Sequence, residues 1–320
     1  MTSNSIQEHM DGDEKIPLMG FEAQAQQTYI VVEGQTDVKV LINFVSKNTK
    51  VQKFKNGGWN KVQEALDIYN YKWVIGIRDA DFINFINNQH CEINNRLFHT
   101  DYHDLEMMII SACWQKLYNE FIKRTDIDYL PEINKNDKEH KKENKEENEY
   151  DKNSLLELLF NVLIPLSCIR FQNECDVLRL NFEKLRIGEY IDFKNKKFKT
   201  NEFISVLNKK SKTKTKEISI NDIASLESFI LSDNCSQEMR HLYKINKIVF
   251  FFYFINGHDF LECCAKWVRQ NTERKDVTEE QIASSARTAY TLELFKETKL
   301  YKSIKAYSEK NRLSFWKEES

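Results

Sequence analysis

The chain has 320 residues, 41% of them hydrophobic, and a formal charge of -2 from 47 basic and 49 acidic side chains. That length and apolar content support a substantial core, and the balanced charge excludes a globally basic nucleic-acid binder, so any phosphate-binding surface has to be local. Seven cysteines without a CxxC pair argue against a disulfide framework or zinc ribbon and for reduced thiols in a cytoplasm.

Residues 1–23 are polar and acidic, lack the pattern of a secretory signal, and read as a flexible tail. Tyr29–Val32 is a short apolar run without alternation, the mark of a strand buried on both faces. It stops at Glu33 and Gly34, where glycine permits a sharp turn and Thr36 or Asp37 can cap a helix over Val38–Lys47. A second strand is expected at Val51–Lys55, a turn at Asn56-Gly57-Gly58 and a helix over Trp59–Tyr69, from the spacing of Trp59, Val62, Leu66 and Tyr69. A third strand, Trp73–Ile77, runs into Asp79-Ala80-Asp81. This alternation predicts βαβ units and an α/β fold with a parallel sheet flanked by helices. Arg96–Thr100 adds a fourth strand, and a helix opens near His103 and runs to about Arg124.

Asn134–Asn153 is almost wholly Lys, Glu, Asn and Asp and reads as a linker or mobile insertion. Helices follow over Leu155–Leu166, limited by Pro165, and over Phe171–Leu185; then come a small hairpin within Asp192–Phe198 and helices near 200–207 and 222–231. Ile248–Ile255 is the most apolar stretch, far shorter than the roughly 20 residues that cross a bilayer, so no membrane span is expected. We read it as a further strand returning to the same sheet, with an amphipathic helix after Asn256-Gly257 and helices over 278–316. The expected organisation is a tail (1–23), a catalytic core (24–125 plus about 245–270), a charged insertion (126–153), a mainly helical insertion (154–240) and C-terminal helices (271–320).

Glu33 follows the first strand, and Asp79 and Asp81 follow the third; parallel strands bring such ends to one edge, where open α/β sheets bind ligands. Like charges gathered there need a cation, and hard oxygen ligands favour Mg²⁺, Mn²⁺ or Ca²⁺ over zinc. Such an ion serves phosphodiester cleavage or transfer. Asp104 and Glu106 offer a further ligand or a second metal, although acids in a first helical turn are also favoured by the helix dipole alone. His258 either faces the acids, if the late strand rejoins the sheet, or merely starts a helix capped through Asp259. Lys209, Lys210, Lys212, Lys214 and Lys216 are either a solvated loop or contacts to nucleic-acid phosphates. A phosphatase of the haloacid-dehalogenase type is disfavoured, because its aspartates follow the first strand, whereas here they follow the third and precede Phe82.

Val32-Glu33-Gly34-Gln35-Thr36-Asp37 with the later Asp79-Ala80-Asp81 resembles the Toprim fold of topoisomerases, primases and OLD nucleases. Asp104-Leu105-Glu106 and Asn256-Gly257-His258-Asp259 resemble the DUF4435 branch, which includes the nuclease effectors of PARIS phage-defence systems. The resemblance implies a Mg²⁺- or Mn²⁺-dependent endonuclease controlled by an ABC-type ATPase partner, cleaving tRNA, with DNA as the alternative substrate. A homodimer of the active form belongs to the same picture. It implies metal roles for Glu33, Asp79, Asp81 and Glu106, with Glu33 also matching a general base. A non-catalytic Toprim module docked on an ATPase is the competing reading. No catalytic-tyrosine domain or zinc module supports a topoisomerase or a primase. Aromatics in the helices after residue 154 suit either a core or a surface for the ATPase or a second copy.

Overall fold

The computed structural model describes residues 27–54, 57–86, 94–121, 147–176, 180–182, 185–210, 225–232, 235–272 and 274–317. The chain separates into two compact units, one drawn from 1–80, 89–108 and 290–320 and the other from 81–88 and 109–289. The expected N-terminal tail and most of the charged insertion lie outside the described residues.

In the first unit, β1 (Thr28–Val32), β2 (Thr49–Lys53), β3 (Val74–Arg78) and β4 (Leu97–His99) form one parallel sheet in the order β2-β1-β3-β4. Helices α1 (Gln35–Leu41) and α2 (Trp59–Ile68) make the crossovers that parallel strands require. β1 is buried throughout and pairs on both sides, Ile30 opposite Val51 and Ile75. This is why its apolar run does not alternate, and it sets the ends of β1 and β3 side by side. The α/β expectation holds, with strand bounds shifted by one or two residues.

Two local readings change. The first helix ends at Leu41 rather than Lys47. Gly34 has φ -130°, extended backbone open to any residue, so the chain turns there without needing glycine. Glycine is required at Gly57 instead: φ is +81°, and a Cβ would lie 2.2 Å from the Glu33 carbonyl oxygen. Across the sheet face, Tyr29 and Val31 pack with Phe54, Leu66 and Tyr69. Arg96 is buried and donates to the carbonyls of Leu66 (2.8 Å) and Tyr69 (2.8 Å), satisfying groups left open where α2 ends, and to that of Val74 in β3 (3.3 Å).

Helix α3 (Leu105–Phe121) begins in the first unit and continues in the second. The second unit otherwise comprises α4 (Glu147–Asp176), α5 (Thr200–Lys210), α6 (Leu226–Leu231), α7 (Gln237–Ile245), α8 (Lys247–Phe254), α9 (Gly257–Asn271) and α10 (Glu279–Ala289). The expected hairpin is present as the antiparallel pair β5 (Ile191–Asp192) and β6 (Lys197–Phe198). Residues 147–153, expected in the linker, are the first turns of α4, and that helix passes through Pro165 to Asp176 instead of stopping there.

Lys152–Cys175 is long and apolar enough by composition to cross a membrane, and 61% of its apolar window is buried inside the protein. Leu159, Phe160, Leu163 and Leu166 of this stretch are fully buried in the core. This helix, rather than 248–255, is the longest apolar element among the described residues. Ile248–Ile255 is not a fourth or fifth sheet strand: it is helix α8. Asn246 accepts the Val249 N–H and caps it, and Phe250, Phe251, Phe252 and Phe254 are buried. A helix apolar on all sides belongs inside a core, and at eight residues its period cannot be told from that of a buried strand.

The chain returns to the first unit with α11 (Leu292–Lys296) and α12 (Lys299–Asn311). Thr49 Oγ1 donates to the Phe315 carbonyl (3.0 Å), and the Lys317 N–H donates to that of Phe44 (2.9 Å). Phe295 and Phe315 are fully buried, Phe295 stacking on Phe44 at 5.1 Å. These aromatics of the tail therefore build the core of the sheet unit.

Candidate acidic site

The adjacent ends of β1 and β3 carry Glu33 and Asp79. Glu33 Oε1 accepts the backbone N–H of Asp79 at 3.1 Å, tying the two strand ends together. The Glu33 carbonyl accepts from Gly58 at 3.0 Å, so the loop after β2 holds it from the other side. One residue beyond Asp79, the Ala80 N–H donates to Thr100 Oγ1 at 2.9 Å, which orders the chain leaving β3. His99, on β4, donates to the Asp79 carbonyl; burial first, then the neighbouring Arg78 cation, holds its pKa below the usual histidine range.

Three further carboxylates act on Asp79. Burial raises its pKa well above the ordinary carboxylate value, followed by the charges of Asp37, Asp104, Glu33 and Glu106. Asp37, in the first turn of α1, is buried, and its Oδ2 accepts the Gly34 N–H at 2.8 Å. Its pKa is raised to about 7 by burial and by Glu106, while the Gly34 hydrogen bond opposes the rise. Asp104 is buried and caps α3 through the Met107 N–H at 2.8 Å. Glu106 lies in the first turn of the same helix.

The structure thus brings four expected residues, Glu33, Asp79, Asp104 and Glu106, into one electrostatic cluster and adds Asp37, which the sequence offered only as a cap. The available signal was Asp37 closing the Val32–Asp37 motif that also holds Glu33. Asp81 has φ +43° and belongs to the second unit. Among the described residues, no three His, Cys, Asp or Glu side chains are arranged to ligate one ion. Glu33, Asp37 and Asp104 each turn an oxygen to a backbone N–H. All five groups are carboxylates, the donor type that a hard cation takes, and burial first, then the neighbouring carboxylates, raises the pKa of Asp37 and Asp79.

His258 is 74% exposed in its side chain, and its Nδ1 lies 2.5 Å from Glu279 Oε1. The strand that was to return it to the sheet is α8, so the expected route to the acids does not exist. Asp259 does not cap α9; Asn256 does, and Asp259 instead forms a buried bidentate pair with Arg170 at 2.7 and 2.8 Å. Lys209 and Lys210 end α5, while Lys212, Lys214 and Lys216 lie outside the described residues.

What the fold and site define is an α/β protein with a four-stranded parallel sheet and acids at the carboxyl ends of its two central strands. Compared with protein-family models and with curated proteins, the chain matches none.

Proposed function

We propose that the chain is a metal-dependent endonuclease of Toprim type, the effector of an anti-phage defence system, cleaving tRNA under the control of an ABC-type ATPase. The observation that carries this reading is the hydrogen bond from the Asp79 N–H to Glu33 Oε1 across adjacent strand ends, ringed by Asp37, Asp104 and Glu106. In this reading Glu33, Asp79, Asp104 and Glu106 hold a Mg²⁺ or Mn²⁺. Once bound, that ion polarises a phosphoryl oxygen and makes a nucleophilic water accessible near neutral pH. The protein's own groups do the positioning. Glu33 is fixed by the Asp79 N–H at the end of β1. Asp37, buried and held by the Gly34 N–H, packs at the start of α1 beside these acids.

One observation favours a second reading, a Toprim module that docks on an ATPase without turnover: three of the five acids already accept backbone N–H groups, and none forms a ready-made chelate. Cleavage of tRNA and plasmid DNA in Mn²⁺, with and without an ABC-type ATPase partner, separates the two. Wild-type cleavage lost in Glu33→Gln with folding and partner binding intact supports the nuclease. Absence of wild-type cleavage on both substrates sinks it.

A further inference from the structure

Residues 100–104 join β4 to α3 and lead to Asp104 and Glu106, whose charges act on Asp79. At its start this loop is tied to the sheet. The Thr100 N–H donates to the Arg78 carbonyl (3.0 Å), and Thr100 Oγ1 accepts the Ala80 N–H and donates to the Tyr102 carbonyl, both at 2.9 Å. At its end Asp104 Oδ1 accepts the Met107 N–H. Between these points stands Asp101, which is not one of the five clustered acids.

Asp101 turns both carboxylate oxygens to a distant part of the chain: Oδ2 accepts the Lys299 N–H at 2.6 Å and Oδ1 the Leu300 N–H at 2.7 Å. These are the first two amides of α12, which have no acceptor within their own helix. The helix also has a cap of its own, since Thr298 Oγ1 accepts the Tyr301 N–H at 3.1 Å. Its start is therefore formed without Asp101, and two charge-assisted bonds to neighbouring amides serve chiefly to fix the loop. Further along, α12 is anchored to the sheet. The Tyr307 ring packs edge-on against Phe98 of β4 at 5.8 Å, and its hydroxyl donates to the Lys72 carbonyl at 2.9 Å. The Asp101 N–H, 3.3 Å from Met108 Sδ, links the same residue to the beginning of α3.

We propose that Asp101 is a positioning residue of the acidic site: its hold on the start of α12 sets the loop, and so keeps Asp104 and Glu106 beside Asp79 for a divalent cation. The proposal rests on the reading of these acids as a cation site. It gives α12, which contributes no ligand, a share in cation affinity.

The test acts from the helix side and leaves the carboxylate in place. Lys299→Pro removes the Lys299 N–H and puts a ring carbon where its hydrogen met Oδ2, so Asp101 has to move. The helix itself accepts the change, because Lys299 is the first helical position and Thr298 is already extended at φ -71°, ψ 152°, as a residue before proline has to be. Lys299→Ala is the control: it loses the same positive charge and keeps the N–H. Electrostatics alone predicts that both variants bind Mn²⁺ as tightly as the wild type or more so. The proposal predicts that Lys299→Pro, as the full folded chain, binds Mn²⁺ about tenfold more weakly than Lys299→Ala, the scale on which partners behind metal ligands act. In the metal-free chain, hydrogen exchange of the Met107 amide, which reports its bond to Asp104, becomes several-fold faster in Lys299→Pro and keeps its wild-type rate in Lys299→Ala. Asp101→Ala, which opens the contact from the other side, gives the same faster exchange. Equal Mn²⁺ affinities of the two Lys299 variants, or unchanged exchange at Met107, overturn the proposal. A wild type that binds no Mn²⁺ overturns the cation reading instead, and exchange at Met107 alone then decides whether Asp101 sets the loop.

Discussion

Asp37 and Asp79 hold protons more tightly in the folded chain than in the unfolded one, because burial and neighbouring carboxylates penalise their charge. A carboxylate whose folded pKa is raised contributes stability that is complete below its unfolded value, 3.8, and is lost as pH climbs through the folded value, about 7 for Asp37. Metal-free protein is therefore expected to lose stability between about pH 4 and 7 through these groups. Asp37→Asn, whose amide oxygen still accepts the Gly34 N–H, should flatten that loss and gain roughly 2 kcal/mol at pH 7.5, on the scale of about 1.4 kcal/mol per pKa unit. Urea unfolding of both proteins in EDTA at pH 5 and 7.5 checks it; a parallel pH dependence would show that Asp37 is not strained. Gly57 offers a second test at this scale. Gly57→Ala places a Cβ 2.2 Å from the Glu33 carbonyl, whereas Gly58→Ala, at φ +93°, meets nothing within 4 Å. Both substitutions strain the backbone, by about 1 kcal/mol or more. Thermal unfolding should show a clearly larger loss for Gly57→Ala.

At the level of elements, the sheet was readable because β1 and β3 are short, apolar and cut off sharply by acids at Glu33 and Asp79. The same logic failed for Ile248–Ile255, where an eight-residue apolar run has no period to betray its helix. The missing signal was a pair of asparagines ten positions apart: Asn246 caps α8, and Asn256 caps α9 through the Asp259 N–H at 3.2 Å. Asn246→Ala and Asn256→Ala should each lower stability by about 1 kcal/mol, read from denaturant midpoints. Pro165 misled in the opposite direction, since tertiary packing of α4 overrides the break that local propensity predicts. Asp81, two residues past Asp79, stands at φ +43°, a turn that spacing along the sequence does not show.

Across the whole molecule, the C-terminal segment returns to complete the unit that holds the acids. Asp101 accepts the N–H groups of Lys299 and Leu300 at 2.6 and 2.7 Å, and Phe315 is fully buried. Such long-range closure is invisible to periodicity, which showed helices and aromatics but not their partners. Phe315→Ala should cost about 3–5 kcal/mol. Removal of residues 290–320 should abolish cooperative unfolding of the sheet unit, followed by near-ultraviolet circular dichroism; a truncated chain that melts like the full one would contradict this packing. The central claim of the proposed function, that Glu33, Asp79, Asp104 and Glu106 hold a cation, is tested most directly by titrating Mn²⁺ into the metal-free chain and into Asp79→Asn and counting bound ion by electron paramagnetic resonance. Saturable binding in the wild type that Asp79→Asn loses at least tenfold is the expected result. No binding by the wild type, or equal binding by both, would contradict it.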